Sequence, residues 1–350
     1  MNDLKLPFYV RLSLSLLTVV LLFIILRAAA GIFIPLLFAL LVAIMLLPLN
    51  NFFETRLRLG RSASPLLCVT LAIAVMGIFL YFVSTQLAIF LQDIPALQVR
   101  LTGLFDTIQL WLSSKMKVSA GQQTEYIGKT LERVMEMIGS SASNLLLYVS
   151  GTLLLLVFVF LFTFFILYYR RLLMRFLLAL FGERNGAQVQ EVVMGTRNMI
   201  NAYIVGLVVE MVLVGVFSCA LLLLMNVHYP FLLGIMVAIF NVIPYVGFYS
   251  AMVITMLVTF ANSNMNMALQ AGGVLFALHL VDANVLFPRI MGRRMRVNPF
   301  VTIVAVIIGQ YLWGVPGMFL SVPVAGTVNL VCESVGRFKV WSILMGSDEG

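Results

Sequence analysis

Apolar residues run through this chain in long unbroken stretches, parted by short polar segments, at 12–26, 32–49, 66–91, 145–169, 203–225, 231–260, 268–287 and 300–335. A helix needs about 20 consecutive apolar residues to cross the hydrocarbon core of a bilayer. The pattern predicts an all-α membrane protein with about eight membrane-embedded helical segments. Two of these do not read as simple spans. The stretch 231–260 is too long for one upright crossing and is interrupted near its middle by Asn241, Pro244 and Gly247. The stretch 300–335 is interrupted around Gly309, Gly314, Pro316 and Gly317 and again at Pro323. Proline removes a backbone donor and clashes with the preceding turn, so both stretches are expected either as re-entrant hairpins or as kinked spans packed through glycine.

Between the third and fourth runs, residues 92–144 carry five basic and five acidic side chains. Leu97, Leu101, Leu104, Ile108 and Leu112 recur at helical spacing, as do Ile127, Leu131, Val134 and Ile138. This predicts a separate insertion of two amphipathic helices on or near the membrane surface, joined by a polar turn over 115–123. The expected organisation is three membrane segments in 1–91, the extracytoplasmic insertion in 92–144 and a fourth segment in 145–169. A basic cytoplasmic loop or helix follows in 170–202, then a C-terminal transport region in 203–335 and a cytoplasmic tail in 336–350.

Composition agrees with a membrane solvent. Hydrophobic residues make up 62% of the chain and charged residues 10%, with a mean hydropathy of +1.08. Soluble domains hold roughly 25% charged residues, and this chain has too few to cover a water-facing surface. The formal charge of +8 does not indicate nucleic acid, because no polar region is large enough to present a basic groove. Cys68, Cys219 and Cys332 lie inside apolar runs without paired spacing, so neither disulfide nor metal centre is expected. Lys5 and Arg11 ahead of an apolar run resemble a signal peptide, but Arg27 interrupts the would-be cleavage region and apolar sequence resumes at Ile32, so a retained span is expected.

The basic residues set an orientation. Lysine and arginine near span ends stay on the cytoplasmic side. With both termini in the cytoplasm, Arg56, Arg58 and Arg61 and then Arg170, Arg171, Arg175, Arg184 and Arg197 fall inside. If every later run crossed fully, Arg289, Arg293, Arg294 and Arg296 would lie outside. A re-entrant 231–260, entering and leaving on the outside, restores the parity. It leaves only Arg27 and the five basic residues of the insertion on the outer side. The second arginine group is then placed to meet anionic headgroups or to take part in gating.

Within the apolar runs, Glu210 and Asp282 are the two carboxylates set well inside. A charge at the bilayer centre costs roughly 2.5–3.5 kcal/mol on insertion scales, so both are expected to face the protein interior. An acid kept there either carries a proton or cation or holds a structural hydrogen bond. Tyr203 and Gly206 share a helical face with Glu210. His279 lies one turn before Asp282, close enough for an imidazole–carboxylate pair or for a histidine bonded elsewhere. No zinc-binding His-Glu-x-x-His, Gly-x-Ser-x-Gly elbow or Walker phosphate loop occurs, so no enzyme, cofactor or metal is expected.

From Tyr203 onward the chain resembles the autoinducer-2 exporter family of bacterial permease-like proteins. The likeness rests on Phe240-Asn241-Val242-Ile243-Pro244-Tyr245-Val246-Gly247, on Asp282-Ala283-Asn284-Val285-Leu286-Phe287-Pro288-Arg289-Ile290-Met291-Gly292, on Asn298-Pro299, and on Gly314-Val315-Pro316-Gly317-Met318 followed by Pro323. It implies about eight membrane segments, an inner-membrane location and export of small molecules such as autoinducer-2, with sodium/proton exchange in some members. Where the family has Glu before Gly-Asn-Val, this chain has Asp282 before Ala283, and where it commonly has Gly-Gln, this chain has Gly206-Leu207 and gains Glu210.

The expected function is a secondary transporter exporting a small solute, with proton or sodium coupling. Its candidate path is lined by Glu210, Asp282, Asn284, Asn241, Pro244, Tyr245, Gly247, Tyr203, Gly206, His279, Gln310, Gly314, Pro316 and Gly317. The alternatives are a sodium/proton antiporter and a non-transporting membrane scaffold. The expected partners are membrane lipid, a small-molecule or ion substrate and further copies of the chain, and no nucleic acid.

Overall fold

A computed structural model describes the backbone of residues 7–115, 120–181, 186–243, 246–291, 297–335 and 338–346, and side chains within these outside 94–150 and Met291. Helices account for the regular structure of the described residues: α1 (Phe8–Ala28), α2 (Ala30–Thr55), α3 (Ala63–Lys115), α4 (Ala120–Phe181), α5 (Gly186–Leu224), α6 (Pro230–Asn241), α7 (Gly247–Asn262) and α8 (Met265–Val281). A π-helical turn (Asp282–Leu286) then leads into α9 (Phe287–Met291), α10 (Pro299–Trp313), α11 (Val315–Ser334) and α12 (Lys339–Met345). Among the described residues, seven stretches are long and apolar enough to cross a membrane, and α6, α7 and α10 are shorter apolar helices. Large apolar side chains stay exposed over these helices, Leu16, Val19 and Ile25 of α1 among them. Such a surface suits lipid and would not stay dispersed in water.

Both interruptions read from the sequence are present. The run 231–260 is two helices, α6 and α7, parted between Asn241 and Gly247; at 1.5 Å per residue they are only ~18 and ~24 Å long. The run 300–335 is α10 and α11, parted at Gly314, whose φ of 65° lies in the left-handed region that favours glycine. A second interruption at Pro323 is not found, since α11 runs on through it. Membrane helices tolerate an internal proline when neighbouring elements pack around it, and Pro323 is buried within α11.

The insertion also differs from expectation. Its helices are continuous with the spans, α3 running unbroken to Lys115 and α4 starting at Ala120 and running to Phe181. A change from apolar to polar side chains alters a helix's solvent but supplies no stop signal, and no proline falls within α4. The apolar faces proposed for 97–112 and 127–138 lie outside the described side chains.

Spatially the chain forms two units. The first comprises Met1–Val69, Leu156–Val205 and Arg293–Gly350, the second Thr70–Leu155 and Gly206–Gly292. In the first unit Phe38 of α2 stacks on Phe319 of α11 with ring centroids 5.3 Å apart, and the Trp313 indole donates to the Leu26 carbonyl at 2.9 Å. The buried Asn50 of α2 accepts from Ser64 Oγ at 2.8 Å and donates to Glu54, which Arg170 of α4 meets at 2.6 Å. In the second unit, Val214, Val237, Phe248, Ala251 and Leu275 form one core layer from α5, α6, α7 and α8. Leu222, Val227, Leu233 and Ala271 form another. The order of these residues along each helix makes neighbouring helices antiparallel, up and down through four passes.

Candidate functional site

In the second unit, Glu210, Val214, Ser218 and Leu222 follow one another every fourth residue along α5 and are all buried, so one stripe of the helix faces the core. Three of its four positions serve packing or a small hydroxyl; the first is an acid. Glu210 is 8% exposed and Asp282, at the end of α8, 4% exposed. Between them stands Asn241, the last residue of α6. Its Nδ2 donates to Glu210 Oε1 at 3.2 Å and to Asp282 Oδ2 at 3.1 Å.

The two breaks in helical geometry put these groups together. Helix α6 closes with Val242 N–H on the Ile239 carbonyl and Ile243 N–H on that of Phe240, which leaves the Asn241 side chain at a helix end. Helix α7 then starts at Gly247, where a Cβ would stand 2.6 Å from the Phe240 carbonyl carbon and closer still to its oxygen. Only glycine fits so near the end of α6. On the other side, Asp282 opens the π-helical turn, with Phe287 N–H bonded back to the Asp282 carbonyl. Pro288 accounts for the widening: it lacks an N–H, and in an α-helix its ring would press on the carbonyl four residues back, that of Asn284. Such turns recur at functional positions in membrane and soluble helices.

The electrostatics of the pair are demanding. The two acceptor oxygens are no further apart than the sum of their bonds to Asn241, ~6 Å, and two unit charges at that distance repel by about 3 kcal/mol at an effective dielectric constant of ~20. One amide shared between two acids leaves each short of donors, and Asp282 Oδ1 is buried without a hydrogen-bond partner. A single positive charge, a proton or a cation, removes the repulsion.

His279 does not pair with Asp282 through a hydrogen bond. Its ring lies flat on Phe248, with centroids 4.1 Å apart and an interplanar angle of 9°, and Tyr249 meets it edge-on at 5.5 Å. Its Nδ1 is buried without a partner. Neither Phe248 nor Tyr249 was singled out by the sequence; the aromatic pair at the start of α7, one residue past the essential Gly247, was the available signal.

The remaining candidates are dispersed. Asn284 is exposed and its Nδ2 donates to the Leu280 carbonyl at 2.7 Å on its own helix. Gln310 is exposed on α10. Tyr203 and Gly206 are buried on α5, with Tyr203 packed at 6.4 Å on Phe319. Gly314 turns the chain between α10 and α11, Pro316 sits in the first turn of α11, and Gly317 meets Gly309 backbone to backbone. Arg289 is exposed at the end of α9. Pro244, Tyr245, Arg293, Arg294 and Arg296 lie outside the described residues.

Residues 14–336 match the sequence profile of the AI-2E family transporter, which covers nearly the whole chain. The chain belongs to the AI-2E transporter family. Among its relatives, a candidate transport protein of Borreliella burgdorferi is 26% identical over 155 residues, 43% of this chain and 42% of that one. YrrI of Bacillus subtilis is 30% identical over 129 residues, 37% and 36% of the two chains. These alignments therefore span less than half of either relative. The AI-2 transport protein TqsA of Escherichia coli is 25% identical over 323 residues, 91% of this chain and 90% of its own. As a member of the AI-2E family this is a multi-pass membrane protein of a bacterial transporter family.

Proposed function

We propose that this protein is a secondary transporter of the bacterial inner membrane, exporting a small polar solute and coupling it to a proton or monovalent cation through Glu210, Asn241 and Asp282. One observation carries the reading: two buried acids from different helices share a single amide donor at a helix interruption. A scaffold that only packs helices gains nothing from this arrangement, because apolar residues of the same volume would fill the space without the cost of desolvating two carboxyls. The interruption supports it too, since broken helices at membrane depth are a recurrent setting for transporter sites. An autoinducer-2-like solute is the class carried over from the name of TqsA; exchange of sodium for protons is the alternative use of the same two acids.

Flux into proteoliposomes tests the proposal, with a panel of autoinducer-2, small polar metabolites, sodium and protons under imposed gradients. Glu210→Gln and Asp282→Asn keep shape and hydrogen-bonding capacity but cannot ionise. Both variants should fold and lose flux. Wild-type flux with unchanged pH dependence in both variants would remove these acids from the mechanism, and no flux of any probe in the wild type would favour the scaffold.

A further inference from the structure

We propose that the Glu210–Asn241–Asp282 cluster is a proton site that admits no alkali cation, with one proton shared by the pair and seated on Asp282. The inference rests on the coupled-transport reading above and names its coupling species. Its first ground is the polarity of Asn241. The side chain turns its N–H groups to both acids, at 3.2 and 3.1 Å, and its oxygen to neither. A dehydrated cation needs several oxygens in place of its water shell, whereas the centre of this cluster is the positive end of an amide dipole. A proton needs one oxygen.

The second ground is Asp282 Oδ1, which is buried on a side chain only 4% exposed and has no hydrogen-bond partner. An ionised carboxylate with one oxygen unserved is far costlier to bury than a neutral acid with the same shortfall. Proton uptake onto this oxygen leaves Glu210 as the charged acid and Asn241 still bonded to both. The other titratable groups near the pair are His279 of α8, held flat on Phe248, and Tyr249 of α7 beside it. No lysine or arginine forms an ion pair with either acid among the described residues.

Infrared difference spectroscopy on the full-length protein in lipid nanodiscs reads the site without a transported solute. Bath pH is stepped in one arm, and at fixed pH choline is replaced by sodium in the other. The expected result is a carboxylic-acid carbonyl band, amounting to one acid per chain, that moves with pH, stays unchanged on adding sodium and is lost in Asp282→Asn. Asn241→Asp, which exchanges the donor for a third acid, should make that band sensitive to sodium. Loss of the wild-type band on sodium addition, its absence at every pH where the protein is folded, or its survival in Asp282→Asn would each overturn the proposal. The two readings fail separately: a proton band without flux sinks the transporter, and flux driven by a sodium gradient at clamped pH sinks the proton site.

Discussion

Gly317→Ala offers a direct test of the packing of α10 against α11. A Cβ at 317 would stand 2.7 Å from the carbonyl carbon of Gly309 and nearer its oxygen, and a Cβ at 309 would stand 2.6 Å from the carbonyl carbon of Gly317. Comfortable carbon contacts begin at ~3.5 Å, so the helices must separate by nearly an ångström to admit one methyl group. Overpacking costs about 1–3 kcal/mol where side chains can move aside. Here both obstacles are backbone, which places Gly317→Ala near the upper end, about 3 kcal/mol, or on the order of a hundredfold in the folding equilibrium. The control is Gly273→Ala on α8, where a Cβ meets nothing within 4 Å. That substitution removes chain entropy only and should stabilise by about 0.5–1 kcal/mol. Denaturant titration in mixed micelles, followed by circular dichroism, compares the two. Equal midpoints for Gly317→Ala and Gly273→Ala would refute the close backbone approach.

Three further outcomes follow from other parts of the chain. Arg170→Ala should cost about 1–3 kcal/mol, because Glu54 is 18% exposed and loses its 2.6 Å partner. Adding Glu54→Gln should recover part of the loss in the same titration, and a double variant no more stable than the single would show that the charge is not the source. Asn298→Ala removes the cap whose Oδ1 accepts from Phe300 and Val301 N–H and whose Nδ2 donates to the Leu344 carbonyl. It should destabilise by about 1 kcal/mol and speed tryptic cleavage after Lys339, and an unchanged cleavage rate would argue against α12 being tied there. Cysteine labelling should reach Asn264→Cys from outside and Arg293→Cys only from the cytoplasm; labelling of position 293 from outside would overturn the re-entrant topology.

The sequence shows what lies along one helix better than what lies between helices. Twenty-residue apolar runs need no partner to be recognised, and Asn241, Pro244 and Gly247 mark the interruption of 231–260 because proline and glycine act through local backbone chemistry. The same local reasoning left His279 open between a pair with Asp282, one turn on, and a bond elsewhere, and did not reveal the flat stacking on Phe248 that holds the ring. It read Pro323 as a break because an isolated helix would suffer there, while the packed α11 does not. Pro288 and Asp282 both stood in view, yet the π-helical turn between them requires knowing that the helix continues on both sides.

Asn241 shows why the site itself was only half legible. Its two bonds reach 31 and 41 positions away, to acids on α5 and on the α8 side of the unit, and neither separation has a periodic signature. Had α6 continued as a helix past Asn241, the buried stripe through Leu233 and Val237 would have extended into the next turn as a further packing contact. Ending α6 at that residue lets a short amide, at the depth of two acids, serve both. The close fit of Gly247 against Phe240 holds the end in place, so Gly247→Ala should disturb the acid pair without touching either carboxyl. If the carboxylic-acid band keeps its position and pH response in that variant, the helix end does not organise the site, and the pairing of Glu210 with Asp282 must be set by α5 and α8 alone.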